Sequence, residues 1–180
     1  IITIPPIEAM VMLLILYRLK QEEFGNLGNL LMAVLFLTVI PICSYPIASR
    51  KRGEQDMRNN QRNMAFIFNF LSYLAAMLIG YCVGCTRMLQ WILNGYFLAV
   101  LILTIVNKVF KIRASGHACS CTFPYLILSY YFGGYVTVIC LILYLAEFWA
   151  SVELKRHTTK EFLGGTIVAW IIFAGTFWML

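Results

Sequence analysis

Charge is scarce in this chain. Of its 180 residues only 12% are Asp, Glu, Lys or Arg, whereas 61% are hydrophobic. A soluble domain covers itself with charged side chains, so this composition excludes one. The mean hydropathy is +0.80, and several runs reach the roughly 20 apolar residues that a membrane crossing needs. Residues 1–180 therefore read as a single integral membrane domain. No second ligand pair accompanies Cys82-Val83-Gly84-Cys85, whose spacing alone would suit redox or zinc chemistry. The other cysteines are scattered along apolar runs, where a thiol acts as a small apolar residue. No metal and no cofactor are expected. Basic and aromatic residues do not interleave, so no nucleic-acid partner is expected either. Pro5-Pro6 interrupts the first apolar run and no small-residue cleavage site follows, which argues against a cleavable signal peptide. A start inside an apolar stretch and without Met predicts that a few residues have been trimmed. Histidine is scarce as well: His117 and His157 are the two in the chain.

What is present is a series of apolar segments, at roughly 1–18, 28–47, 64–83, 88–106, 118–132, 135–150 and 162–180. They predict an all-α polytopic bundle of six to seven transmembrane segments. The fifth is short and contains Pro124, which predicts a kink or burial among its neighbours, with Gly133-Gly134 as the tight turn after it. Gly80-x-x-x-Gly84 has helix-packing spacing, and the aromatic residues suit core and interface belts.

Two crossings separate each of the breaks 48–63, 107–117 and 151–161 from the next, so all three are expected at one membrane face. They hold Arg50, Lys51, Arg52, Arg58, Arg62, Lys108, Lys111, Arg113, Lys155, Arg156 and Lys160, whereas only Arg18, Lys20 and Arg87 fall on the other side. The positive-inside rule makes the cationic face cytoplasmic. Cations placed there to bind phosphate would weaken that assignment. The formal net charge of +6 points to anionic lipid or phosphate as partner.

Both histidines sit in these converging breaks, His117 in Lys111-Ile112-Arg113-Ala114-Ser115-Gly116-His117 and His157 in Lys155-Arg156-His157-Thr158-Thr159-Lys160-Glu161. Binding a phosphate calls for Arg and Lys, with a small hydroxyl and amides at a helix start to complete the cradle. Breaking its P–O bond needs a nucleophile and a proton donor. Two histidines meet that need when one is neutral and the other protonated. Glu161 lies one helical turn after His157, where it can hold the imidazole tautomer as the Asp of a triad does. Glu147 is an ionisable group inside an apolar run, which marks a site unless it snorkels or pairs with a lysine.

Arg62, then Ser115-Gly116-His117, then His157-x-x-x-Glu161 resembles the three-part signature of the type 2 phosphatidic acid phosphatase superfamily. That pattern runs Lys-x6-Arg-Pro, Pro-Ser-Gly-His and Ser-Arg-x5-His-x3-Asp. The resemblance covers about residues 50–165 and implies a membrane lipid phosphatase working through a phosphohistidine without a metal. It implies His157 as nucleophile, Glu161 as its orienting carboxylate and His117 as general acid. Ser115, Gly116 and Arg62 would hold the phosphate, with Lys111 and Arg113 assisting and Arg58 as the alternative to Arg62. Expected substrates are a phosphatidic acid-like lipid or a polyprenyl diphosphate-like one.

The chain departs from the pattern in Gln55 for Lys, with Lys51, Arg52 and Arg58 near enough to substitute. It departs again in Asn63 and Ala114 for Pro, and in Ser151 for a phosphate-binding Arg. On a helix neither Lys155 nor Arg156 shares the turn of residue 151. The alternative is therefore a catalytically impaired relative that binds or moves anionic lipids. A third reading, a small transporter or assembly subunit with incidental histidines, would draw its intramembrane charge from Glu8 and Glu147.

Overall fold

The computed structural model describes residues 5–48 and 54–179, apart from the side chains of 45–48 and 54–63. Arg50, Lys51 and Arg52 lie outside the described residues. Arg58 and Arg62 fall on a helix whose side chains there lie outside the description.

Every described element is helical. In order they are α1 (Pro5–Leu19), the single turn α2 (Gln21–Phe24), α3 (Leu27–Val34), α4 (Ile40–Ala48), α5 (Glu54–Val83), α6 (Arg87–Thr104), α7 (Gly116–Phe132), α8 (Gly134–Glu153) and α9 (Thr159–Thr176). A π-helical turn at Leu35–Val39 joins α3 to α4, and a second, Ile105–Val109, ends α6. The first π turn leads into Pro41, which has no N–H to return to the preceding turn. The Ser72 hydroxyl of α5 donates to the Phe36 carbonyl within that turn.

Five stretches are long and apolar enough to cross a membrane: Leu27–Ser44, Met64–Val83, Arg87–Val109, Gly134–Glu153 and Thr159–Met179. The outward faces agree with that reading. On α8 the exposed residues include Val138, Ile139, Leu141, Ile142, Leu145 and Trp149, and on α9 they include Ile167, Trp170 and Ile171. A helix facing water would carry charge there. With 15 and 17 residues, α1 and α7 extend only about 22 and 26 Å, short of the roughly 30 Å hydrocarbon core.

Short α7 is the centre of the bundle and packs against α1, α6, α8 and α9. Pro124 is buried within it, so neighbours rather than lipid surround the interrupted backbone. Phe123 of α7 packs beside Trp91 of α6, and both, like Ile127 of α7, are essentially inaccessible. The Trp91 indole donates to the Thr176 hydroxyl of α9 at 2.9 Å. Gly133 and Gly134, at φ +55° and +39°, make the turn into α8 in a region that other residues enter only at a cost.

At one end of the bundle, the Thr86 hydroxyl donates to the Phe24 carbonyl at 3.0 Å, joining the α2–α3 and α5–α6 turns. At the opposite end, the segments after α6 and after α8 meet. The backbone N–H of Ser115 donates to the carbonyl of Glu161 at 2.8 Å.

Candidate active site

The start of α7 is built by its cap. Ser115 has extended backbone, and its hydroxyl oxygen accepts from the Ala118 N–H at 3.2 Å. The residue before it is clamped by Asn107 of the second π turn. The Asn107 side chain accepts from the Ala114 N–H at 3.0 Å and donates to the Ala114 carbonyl at 3.1 Å. Its amide also reaches the Leu103 carbonyl at 2.8 Å. A π turn frees backbone groups and re-aims side chains, and here it directs Asn107 across to the other strand of the loop.

The start of α9 is a capping box. The Thr158 hydroxyl accepts from the Glu161 N–H at 3.2 Å, and Glu161 Oε2 accepts from the Thr158 N–H at 3.0 Å. The same oxygen lies 3.7 Å from His157 Nδ1. That is an ion-pair separation, longer than a hydrogen bond. The other carboxylate oxygen lies 3.7 Å from an Arg113 guanidinium nitrogen. Glu161 thus serves the helix start, the imidazole and a cation from the neighbouring loop.

These two helix starts approach closely because of Gly165. A Cβ there would stand 2.1 Å from the Ser115 carbonyl oxygen and 3.0 Å from the Ala118 Cβ. Only a hydrogen in that place lets α9 lie against α7.

Between them opens a cavity of about 630 Å³. Its charged mouth is formed by Lys108, Arg113, Arg156, His157, Glu161 and His117. The rest of its wall mixes Phe66, Tyr73, Tyr96, Leu103 and Phe123 from α5, α6 and α7 with the polar Asn69, Asn107 and Ser120.

Burial lowers the His117 pKa below its ordinary value, and the charges of His157 and Arg156 add to that shift, while the Glu147 carboxylate opposes it. Glu147 is itself buried on α8, with one oxygen accepting from the Tyr125 hydroxyl at 2.7 Å. Glu8, Cys121 and Glu147 bring one ligand atom each within 4.8 Å of one another, one turn further into the bundle.

Of the residues expected to act, the structure gathers His117, His157, Glu161, Arg113 and Gly116 around one cavity. Ser115 stands beside it, buried, with its hydroxyl committed to the cap. Lys111 is exposed at φ +55° and does not line the cavity. Arg58 and Arg62 belong to α5, whose Ala65, Phe66 and Asn69 reach the cavity wall. Asn107 had no signal in the sequence, because its partner lies seven residues on in a loop of no regular period. Ser120, without any signal in the sequence, also lines the cavity, as does Lys108, counted above only among the cations of the converging breaks.

No family model, no curated protein and no solved structure matches this chain.

Proposed function

We propose that the chain is a membrane-embedded lipid phosphatase of the type 2 phosphatidic acid phosphatase kind. The observation that carries this reading is the sharing of one cavity by both histidines, with a carboxylate behind His157. In it, the Nδ1 side of His157 faces Glu161 and leaves Nε2 to attack phosphorus. The P–O bond to the lipid breaks as the N–P bond forms, and His117 gives the departing oxygen its proton. A water then attacks the phosphohistidine, with His117 taking up the proton, and inorganic phosphate leaves. Arg113, Gly116 and Arg62, with Arg58 in support, would hold the phosphate oxygens, the cations through charge-assisted bonds, while Lys111, outside the cavity lining, would add only to the positive field at its mouth. The acyl or prenyl chain lies among the helices. Counted with α1 and α7, the bundle then has the seven segments that bring the three cationic breaks to one face, with a cytoplasmic lean from the positive-inside rule.

Phosphate release by the purified protein tests this. The substrates are phosphatidic acid and a polyprenyl diphosphate in detergent, with EDTA present and His157→Ala as control. Release from either lipid that vanishes in the variant supports the reading, and release that persists in it contradicts the site.

Ser151 favours a second reading, a relative that binds or moves anionic lipids without turnover. Lipid binding that survives His157→Ala, in a protein that releases no phosphate, would select it.

A further inference from the structure

We propose that Arg156 is the phosphate clamp of this site, its guanidinium delivered to the cavity by a backbone reversal at the end of α8. The proposal rests on the phosphatase reading and deepens it.

The residue types alone put Arg156 out of place. If α8 continued through residue 157, Arg156 would point well away from the face that carries residue 151. The helix instead stops at Glu153. Leu154 donates its N–H to the Ala150 carbonyl at 3.0 Å, and Lys155 donates to Val152 at 3.0 Å. Lys155 then turns left-handed at φ +51°, a conformation that residues with a Cβ seldom adopt. After that turn the chain doubles back. The N–H groups of Arg156 and His157 both approach one acceptor, the Ser151 carbonyl, at 3.1 and 3.4 Å. Strain of this kind persists where its surroundings hold it, and it gathers at functional sites.

The reversal brings the backbone of Arg156 to the Ser151 carbonyl and its side chain to the wall of the cavity that His157 and His117 also line. Ser151 itself is buried, its hydroxyl has no hydrogen-bond partner among the described residues, and it does not line the cavity. The serine therefore offers nothing to a phosphate. Arg156 occupies the mouth in its stead.

Other cations of the mouth are less suited. Arg113 lies 3.7 Å from Glu161, so its charge is partly answered before any ligand arrives. Lys108 is a point charge without a fork. Among the described residues no carboxylate pairs with Arg156. A guanidinium beside both histidines can bond two phosphate oxygens at once and neutralise charge that grows as the leaving oxygen departs.

Two measurements test the assignment with wild type, Arg156→Ala, Arg156→Lys and Lys155→Ala. The first is phosphate release from phosphatidic acid in mixed micelles with EDTA. Loss of one such charge-assisted contact is expected to lower kcat/KM about 10²- to 10³-fold in Arg156→Ala. Arg156→Lys should recover a part, and added guanidinium should restore turnover to Arg156→Ala alone. Lys155→Ala, whose side chain is not at the cavity, should stay within about threefold of wild type. The second is calorimetric binding of orthovanadate, which needs no turnover and should weaken at least tenfold in Arg156→Ala at unchanged melting temperature. Turnover and vanadate binding in Arg156→Ala within twofold of wild type would overturn the assignment and leave the phosphatase reading standing. Wild-type protein that binds vanadate through Arg156 but releases no phosphate would keep the clamp and remove the turnover. Failure of guanidinium to rescue, together with a lowered melting temperature, would make Arg156 a structural residue of the turn.

Discussion

The backbone N–H of Ser115 donates to the carbonyl of Glu161 across 2.8 Å, tying the segment that holds one histidine to the segment that holds the other. The residues joined are 46 positions apart in sequence, yet each lies within four residues of a histidine. Because the bond is between main-chain groups, no side-chain change removes it directly. What maintains it is the close approach of α7 and α9.

That approach depends on Gly165. Gly165→Ala would drive a methyl group against the Ser115 carbonyl, which is backbone and cannot swing aside. Overpacking of this kind costs about 1–3 kcal/mol. The expected outcome is a lower melting temperature in detergent together with loss of phosphate release. Gly164→Ala, where a Cβ would meet Ala114 at an ordinary 3.6 Å, should change neither by much.

The double duty of Glu161 can be split. Thr158→Ala removes the cap hydroxyl and is expected to cost about 1 kcal/mol of stability, with phosphate release reduced only a few-fold. Glu161→Gln keeps an acceptor for the Thr158 N–H but takes the negative charge from beside His157 Nδ1. It is expected to melt near wild type and to lose about 10²-fold or more in kcat. Melting temperature and kcat measured on the same preparations separate the two effects.

The protonation of His117 sets a pH limit. A general acid must hold its proton before the reaction, and burial lowers the His117 pKa. Protonated His117 is therefore lost as pH rises through a value below the ordinary 6.5. In the empty enzyme kcat/KM should fall on the alkaline side from that lowered point. A bound phosphate, being negative, raises the same group, so the limb in kcat should lie higher. Glu147→Gln removes the carboxylate that opposes the shift, and the alkaline limb of kcat/KM should then move to lower pH. An unmoved limb would show that His117 is not the group titrating.

Much of the bundle was legible because membrane helices announce themselves by apolar length. The breaks after α6 and α8 could be placed on one face by counting crossings, and His117, His157 and Glu161 do meet there. The number of crossings was less legible. Residues 5–19 and 116–132 are apolar enough but short; α7 is surrounded by α1, α6, α8 and α9, whereas α1 keeps Ile7, Val11 and Leu14 exposed. Arg156 was hidden for another reason. A helical period carried through 151–157 separates it from Ser151, and nothing in Leu154-Lys155-Arg156 predicts that Lys155 turns left-handed. Asn107 was hidden because its role depends on a π turn, which has no residue pattern of its own.

The central claim is a covalent intermediate on His157. The direct measurement is rapid acid-free quenching of the protein during turnover of a lipid carrying radiolabelled phosphate, followed by peptide mapping. The account predicts label on the peptide holding His157, stable to base, released by acid, and absent from His157→Ala. Phosphate released at the normal rate with no label on that peptide, or with label elsewhere, would contradict it.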